Sequence, residues 1–250
     1  MAAEPLAPHG TLPGYYRAPN ERQPFVDDLF DRSARHYDWI CNVMSFGSGV
    51  WYRRQALLRA GLKPTMRVLD IGTGTGLVTD AMLRAGVAPD RVLGVDPSDG
   101  MLRHHRARNR VRLLRGVGDA VPVRDGTFDF VVMGYALRHV ADLQATFTEY
   151  LRVLRPGGSL LLLEITRPRT RIGRFFAHTW FGRFLPLVTR IGTGSAEARK
   201  LMDYYWATID ACVPPERILA ALTAAGFVGV ERGTQFAIFS EYRARRPEAT

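Results

Sequence analysis

The chain has 250 residues, 46% hydrophobic and 23% charged, which is typical of one globular domain with a full core. No apolar run approaches ~18 residues, which excludes a membrane-spanning helix, and two cysteines, Cys41 and Cys212, exclude a disulfide framework. The net charge is +10, carried almost wholly by arginine, since Lys63 and Lys200 are the only lysines. That charge suits a nucleic acid or an anionic lipid as a partner, and arginine-biased codon usage explains it equally well.

The N-terminal segment is rich in Pro and Gly and lacks the apolar core of a secretory signal. Residues 1–23 are therefore predicted to form a flexible arm, followed by a single domain over 24–243 and a tail over 244–250. Two unpaired cysteines fit a reducing compartment, so the expected location is the cytoplasm. Peripheral contact with the inner face of the membrane remains an open alternative.

Helices and strands alternate along most of the chain. Residues 24–60 are predicted to form two helices, an N-terminal helical cap. Apolar and β-branched runs then predict strands at 66–71, 91–96, 111–114, 128–134 and 159–165, and helices are predicted at 76–85, 97–109 and 141–154. This alternation indicates parallel strands with helices on both faces of the sheet.

Residues 167–212 interrupt the alternation, because they contain two aromatic-rich helical stretches and no predicted strand. A helix at 214–225 and strands at 228–232 and 234–242 follow, and the two strands are close enough to form an antiparallel hairpin at the sheet edge. The prediction is a Rossmann-like, doubly wound, mostly parallel seven-stranded sheet with a helical cap and a helical insertion after strand five. The insertion lies at the strand ends where such sheets bind ligands, so it is predicted to be a substrate lid.

The main candidate for a binding site is a glycine-rich turn. After the first strand, "VLDIGTGTG" contains Asp70, Gly72, Gly74 and Gly76. Glycines permit a tight turn and close approach of a ligand, and the next helix offers free N–H groups to an anionic group. The second strand ends in Asp96, positioned to accept both hydroxyls of a ribose, and Asp119 follows the third strand, where it can accept from an adenine amine. A tight turn without a ligand is the alternative.

In this order, these features resemble the class I S-adenosylmethionine-dependent methyltransferases. The stretches "FDRSARHYDWICNVMSFGSGVWYRR" (30–54), "GDAVPVRDGTFDFVVMGYALRHVAD" (118–142) and "RVLRPGGSLLLLEITRP" (152–168) are similar to the ubiquinone/menaquinone biosynthesis C-methyltransferase (UbiE/MenG) family. The similarity covers roughly residues 24–243. It implies S-adenosylmethionine as cofactor, bound at Thr79, Asp96, Asp119 and Ala120, and at Gly134, where the family has a serine.

Strand four ends in "FDFVVMGYALRHVADL" (128–143), beside the implied cofactor. Tyr135, Arg138 and His139 are therefore expected to face the methyl-accepting ring. A phenolate is a far better carbon nucleophile than a phenol, so a fixed arginine charge would favour it, and a histidine could take the proton. The alternative is that Arg138 pairs with a surface acid and His139 only begins a helix. The family normally has asparagine at the position of His139. Tyr37 is expected either to cover the cofactor from the N-terminal helices or to have only a packing role.

Aromatic residues of the insertion are the candidates for binding the acceptor. They are Tyr204, Tyr205 and Trp206, in a segment more aromatic than usual for the family, and Trp180 in "RPRTRIGRFFAHTWFGRFLPLV". This last stretch suits a substrate lid, a surface that dips into lipid headgroups, or simply the core of the insertion.

The predicted function is C-methylation of a phenolic or quinol ring, and the predicted partner is a small aromatic or lipid-like acceptor. An N- or O-methyltransferase of a lipid or aromatic natural product is the nearest alternative. An RNA methyltransferase and a non-catalytic cofactor-binding scaffold are weaker ones. No metal is expected, since the histidines show no ligand spacing, and no specific nucleic acid is expected; a homodimer is left open.

Overall fold

The computed structural model describes residues 6–249, and its strands form one sheet. The order is β3-β2-β1-β4-β5-β7-β6, in which β1 to β5 run parallel and β7 pairs antiparallel with β5 and β6. The strands are β1 (Val68–Ile71), β2 (Val92–Asp96), β3 (Arg112–Arg115), β4 (Phe128–Gly134), β5 (Leu154–Ile165), β6 (Val228–Gln235) and β7 (Phe239–Arg245). The prediction of a doubly wound, mostly parallel seven-stranded sheet is confirmed.

Helices cover both faces of this sheet. They are α1 (Arg22–Met44), α2 (Gly49–Arg59), α3 (Leu77–Arg84), α4 (Asp99–Arg103), α5 (Leu143–Val153), α6 (Arg171–Thr179), α7 (Leu185–Thr193), α8 (Ala196–Ala211) and α9 (Pro215–Ala224). Within residues 6–249, no helix is both long and apolar enough to cross a membrane.

Central strands are apolar because both of their faces are covered. All four residues of β1 and the first six of β4 are buried, as parallel strands between two helical layers require. Helix α5 packs on this sheet through Leu143, Phe147 and Tyr150, whose spacing places them on one helical face. The β1 and β4 strands therefore form a rigid centre, and their carboxyl ends open toward α1 and the insertion.

The insertion after β5 begins as one continuous helical run. Helix α6, a π-helical turn at Trp180–Phe184 and α7 follow one another without a break until Gly194, whose φ of 64° ends the run. Helix α8 then returns and packs against α7 and α1. Ser195 begins α8, because its side chain accepts a hydrogen bond from the backbone N–H of Ala198.

The N-terminal arm predicted over 1–23 is packed against the domain at several of its described residues. His9 and Tyr16 are buried, and the carbonyls of Leu6 and Pro8 accept hydrogen bonds from Leu143 and Val213. Composition alone suggested a loose segment, but Tyr16 packs on Phe25 and holds the chain against the domain. Residues 1–5 of the predicted arm lie outside the described residues.

The predicted C-terminal tail, residues 244–250, is also largely attached. Strand β7 continues to Arg245, and the guanidinium of Arg246 donates to the carbonyls of Leu151, Arg152 and Leu154. Thr250 lies outside the described residues.

The predicted helix over 97–109 is wrong in extent, because only Asp99–Arg103 is helical. The following turn folds back so that the Arg106 N–H donates to the carbonyl of Thr75.

Candidate functional site

The glycine-rich turn between β1 and α3 has a backbone that requires glycine. Gly72, Gly74 and Gly76 have φ of 63°, 57° and 83°, in the left-handed region. A Cβ on Gly72 would lie 2.7 Å from the Cβ of Ala136, so the turn also packs too tightly for a side chain there. The free edge of this turn faces a cavity at the carboxyl ends of the strands.

Asp70 and Thr79 support the turn from behind. The Oδ2 atom of Asp70 accepts hydrogen bonds from the hydroxyls of Thr73 (2.9 Å) and Thr79 (2.7 Å), and all three residues are buried. Neither Asp70 nor Thr79 lines the cavity. Their positions fit a structural role in holding the turn, and direct cofactor binding by either stays a prediction.

Asp96 lies at the end of β2 with its carboxylate at the cavity wall. One oxygen accepts the N–H of Gly74 (2.8 Å) and the other accepts the N–H of Ser98 (2.9 Å). Burial raises the pKa of this carboxyl to about 7 despite both hydrogen bonds. The site thus offers a desolvated acidic group next to exposed glycine backbone, an arrangement suited to paired hydroxyl donors.

One cavity of about 290 Å³ contains these groups. Its polar end is formed by the glycine turn, Asp96 and Asp119, and its other end is walled by side chains of α1 and the segment after β4. The predicted site residues that line it are Tyr37, Gly72, Gly74, Asp96, Asp119, Gly134, Tyr135 and His139. The predicted site residues that do not line it are Asp70, Gly76, Thr79, Ala120, Arg138, Trp180, Tyr204, Tyr205 and Trp206.

Gly134 lies where the resemblance implies a serine, and the structure explains the difference. A Cβ at this position would lie 2.5 Å from Cγ2 of Val78 on α3, so this chain packs α3 where a serine side chain would begin. The backbone of Gly134 still lines the cavity. The site therefore keeps the path of the strand and loses one hydroxyl.

His139 lies at the apolar end of the cavity, in the short turn after β4. Its ring stacks on Tyr204 (5.6 Å between ring centroids) and meets Phe30 edge-on (5.2 Å). Both ring nitrogens are buried and have no hydrogen-bond partner among the described residues. Burial, followed by the charges of Arg138 and Arg22, lowers the pKa of His139 well below its usual value, so the imidazole is neutral at physiological pH.

Arg138 does not face the cavity, which differs from the expectation. Its side chain is fully buried, its Nη1 donates to the carboxylate of Glu164, and its Nε donates to the hydroxyl of Thr208 (3.3 Å). The guanidinium also lies 4.6 Å from the ring centroid of Tyr205. The alternative prediction, that Arg138 pairs with an acid, is closer to the structure. The acid is Glu164, however, which lies in the core and not on the surface.

The aromatic residues predicted to bind the acceptor are distributed over several places. Tyr204 reaches the site indirectly, through its stack on His139, while Tyr205 packs on Arg138. Trp206 stacks on Phe181 within the insertion, and Trp180 stacks on Phe46 and Phe184 at its surface. A direct acceptor-binding role for these four therefore stays a prediction, with Tyr204 the nearest to the cavity.

Sequence reasoning missed two buried arginines beside the site. Arg22, 6% exposed, contacts His9 (2.8 Å) and donates to the carbonyl of Arg138, and Arg53, also 6% exposed, lies 4.9 Å from the ring centroid of Tyr135. Neither has a carboxylate partner within residues 6–249. Nothing in the local sequence marks them, because arginines are frequent throughout the chain and burial depends on the fold.

Helix α1 is joined to the polar end of the cavity by its acids. Asp31 accepts from the hydroxyl of Ser98 and the N–H of Gly100, and Asp38 accepts from the hydroxyl of Thr75 (2.5 Å). Asp38 also pairs with Arg106 (2.6 Å). The helical cap is therefore fixed to the glycine turn and closes the cavity on one side.

Comparison with known proteins agrees with this geometry. The sequence model of the ubiE/COQ5 methyltransferase family matches residues 17–237. The chain belongs to this family. It is 35% identical over 227 residues to the demethylmenaquinone methyltransferase of Symbiobacterium thermophilum, covering 86% of this chain and 90% of that one.

Two further methyltransferases are similar to this chain, one in sequence and one in fold. It is 30% identical over 232 residues to the ubiquinone/menaquinone biosynthesis C-methyltransferase UbiE of Shewanella woodyi, covering 90% of this chain and 91% of the relative. A crystal structure of an S-adenosylmethionine-dependent methyltransferase from Thermotoga maritima matches the fold with a TM-score of 0.61 at 21% identity, over 88% of this chain and 99% of that one. The predicted family and the predicted enzyme class are confirmed.

The cavity of this methyltransferase fits S-adenosylmethionine, its cofactor. The turn at Gly72 and Gly74 leaves room for close approach, and the buried Asp96 carboxylate suits two ribose hydroxyls. Asp119 also lines the cavity, and its binding to an adenine amine stays a prediction. When bound, the cofactor supplies a methyl group carried on a sulfonium.

Proposed function

We propose that this methyltransferase transfers the methyl group to a ring carbon of a quinol or related phenol. The relatives' names point to such acceptors: one is a demethylmenaquinone methyltransferase and another a quinone-biosynthesis C-methyltransferase. The observation that carries the proposal is one continuous cavity, in which the polar cofactor end continues into an end walled by Val26, Phe30 and His139. A flat, apolar ring with one ionisable hydroxyl matches that second end. The proposed location is the cytoplasm, with the acceptor at the inner face of the membrane.

Residues around His139 favour the ionised form of an acceptor hydroxyl. Burial is the first cause of the lowered pKa of His139, and the positive charges of Arg138 and then Arg22 add to it. The same field would lower the pKa of a hydroxyl bound beside that ring, since it stabilises negative charge. Of the two charges, Arg138 has the larger effect on His139 although it pairs with Glu164, and Arg22, which has no carboxylate partner among the described residues, adds to it.

His139 is suited to accept the hydroxyl proton. It is neutral and its ring lines the cavity. Both ring nitrogens are buried without a partner within the described part of the chain, so the ring must rotate for one of them to meet an acceptor hydroxyl. Its lowered pKa makes it a weaker base than a histidine in water, in contrast to the near-neutral pKa that its sequence suggests. Proton acceptance is therefore favoured only when a phenolate forms next to the imidazolium, so the two charges stabilise each other.

Replacing His139 by Asn tests this role. We expect kcat at neutral pH to fall roughly a hundredfold, the usual range for a lost general base, with cofactor affinity unchanged. The deficit should shrink at higher pH, where more of the acceptor ionises without help. The measurement is the pH–rate profile with a quinol acceptor, and His178→Asn, an exposed histidine of α6, is the control. Equal rates for His139→Asn and wild type at every pH would show that the ring only packs.

The acceptor class is tested directly by following the methyl group. The protein is incubated with carbon-13 methyl-labelled cofactor and, separately, a demethylated quinol, its oxidised quinone, an aromatic amine and RNA. We expect label on a ring carbon of the quinol and much less product from the quinone, because the oxidised ring has no hydroxyl to ionise. Label on nitrogen or oxygen as the main product would contradict C-methylation and favour an N- or O-methyltransferase.

A further inference from the structure

The helical run from α6 to α7 exposes a stripe of large apolar side chains. Along residues 171–193 the exposed positions recur at helical spacing, so they lie on the outer side of the run. The residues are Ile172, Phe175, Phe176, Leu187 and Ile191, which are 53–74% exposed. The inner side is packed, for example at Gly192, where a Cβ would lie 2.3 Å from the Trp39 ring. The stripe is thus the unburied face of a well-packed helix.

Three stacked rings extend this stripe toward the turn between α1 and α2. Phe46 stacks on Trp180 (5.0 Å between centroids), and Trp180 stacks on Phe184 (4.9 Å). Phe46 is 80% exposed, and Trp51 of α2 is also largely exposed. Contiguous apolar surface of this kind marks an interaction site, because scattered single residues are the normal pattern.

The charged side chains of the segment around this helical run are all positive. Residues 165–196 contain six arginines and no Asp or Glu. Arg167 and Arg169 pair with Asp210 and Glu216. The remaining arginines are exposed and have no ion-pair partner among the described residues; they are Arg171, Arg174, Arg183 and Arg190. Unpaired cations alternate along the run with exposed aromatic residues.

We propose that this face, formed by residues 171–193 with Phe46, docks on the surface of an anionic lipid bilayer. Interfacial helices combine an apolar stripe that enters the acyl boundary with cations that contact anionic headgroups, and both are present here. A symmetric contact between two copies of the chain is disfavoured, because it would place two sets of unpaired arginines against each other. A nucleic acid would match the charge and could stack on the aromatic rings, but it would leave the aliphatic residues Ile172, Leu187 and Ile191 uncovered.

This docking face is connected to the acceptor end of the cavity. Helix α8 underlies the run, with Trp206 stacked on Phe181 (6.4 Å between centroids). The same helix carries Tyr204, which stacks on His139 at the cavity. The inference deepens the proposed function, since a lipid-like acceptor would be delivered from the surface on which the protein sits. Binding to lipid itself needs no acceptor, so it can be tested separately.

The test is co-flotation of the full chain with vesicles, without acceptor or cofactor. One vesicle set is phosphatidylcholine alone and the other contains added phosphatidylglycerol. We expect binding to the anionic vesicles and much weaker binding to the neutral ones. Phe175→Ser/Phe176→Ser should weaken binding at least about tenfold, as the loss of two inserted rings implies, and Arg174→Glu/Arg183→Glu should weaken it by at least about fivefold per position.

Matched controls lie at the opposite end of the sheet. Val228→Ser removes an exposed apolar residue of β6, and Arg245→Glu reverses an exposed arginine of β7; both should bind like wild type. Failure of wild type to bind anionic vesicles, or equal binding by the double phenylalanine variant, would overturn the proposal. A dimer in sedimentation velocity that disappears in that variant would assign the face to a second copy instead. Methyl transfer to a short, water-soluble quinol should be unchanged in all four variants, which separates this test from the test of function.

Discussion

Arg138→Met is expected to lower the free energy of unfolding by about 3–5 kcal/mol, because it leaves the Glu164 carboxylate buried without its partner. Arg138 is fully buried and Glu164 is 2% exposed, so water cannot replace the lost guanidinium. The hydrogen bond from Arg138 to the Thr208 hydroxyl and the cation–π contact with the Tyr205 ring are lost as well. Urea denaturation of both proteins gives the difference. The control, Arg32→Met, removes an exposed i,i+4 partner of Asp28 and should change stability by less than about 1 kcal/mol.

A second variant separates stability from catalysis. Arg138→Met/Glu164→Leu removes both buried charges, and we expect it to regain most of the lost stability. If Arg138 acts only by holding the turn that carries His139, kcat should recover with stability. If its charge acts on the acceptor hydroxyl, kcat should stay low in the stable double variant and improve with rising pH. An Arg138→Met variant as stable as Arg32→Met would contradict the buried ion pair itself.

Asp96→Ala should weaken S-adenosylmethionine binding at least tenfold, and by much more if both ribose hydroxyls depend on it. Each charge-assisted hydrogen bond contributes about 1.5–3 kcal/mol, and Asp96 also fixes the N–H of Gly74 in the turn. Isothermal calorimetry measures the affinity. Asp99→Ala, an exposed acid three residues along that pairs with Arg115, is the control and should bind normally. An unchanged affinity in Asp96→Ala would place the ribose elsewhere.

The pH dependence gives an independent check on the same carboxyl. Burial raises its pKa to about 7, so in the free protein it gains a proton as pH falls below that value. The protonated form loses one acceptor, and cofactor affinity of wild type should therefore decline below about pH 7. Asp96→Asn is neutral at every pH and should show weak, nearly constant affinity over that range. A constant affinity in wild type would mean that the carboxyl stays ionised throughout.

Short-range signals account for most of what the sequence predicted correctly. The β1 and β4 strands are continuous apolar runs because both faces are covered, and the glycine turn is visible because three left-handed residues need three glycines. These signals also place Asp96 at the end of its strand and Asp119 after the next strand, which predicts a nucleoside-binding site. The resemblance to a known family then supplies the cofactor and the acceptor class.

Long-range pairing accounts for what the sequence did not predict. Arg138 pairs with Glu164, which lies 26 residues away in the sequence. Nothing in either local sequence distinguishes this buried ion pair from the many exposed ion pairs. The same holds for His9 and Arg22, whose contact buries a segment that composition described as a loose arm. The groups that contact these buried charges come from distant parts of the chain, so the burial depends on the assembled fold rather than on periodicity.

The π-helical turn at Trp180–Phe184 sets the alignment of the proposed docking face. Such a turn takes up one residue more than an α-helical turn, and here it contains Gly182, which lies against Trp206. If the same residues formed an unbroken α-helix, everything after the turn would be rotated by about 100° around the helix axis. Leu187 and Ile191 would then leave the line of Ile172 and Phe176, and buried residues of α7 would turn outward. The wider turn thus keeps two half-stripes on one face.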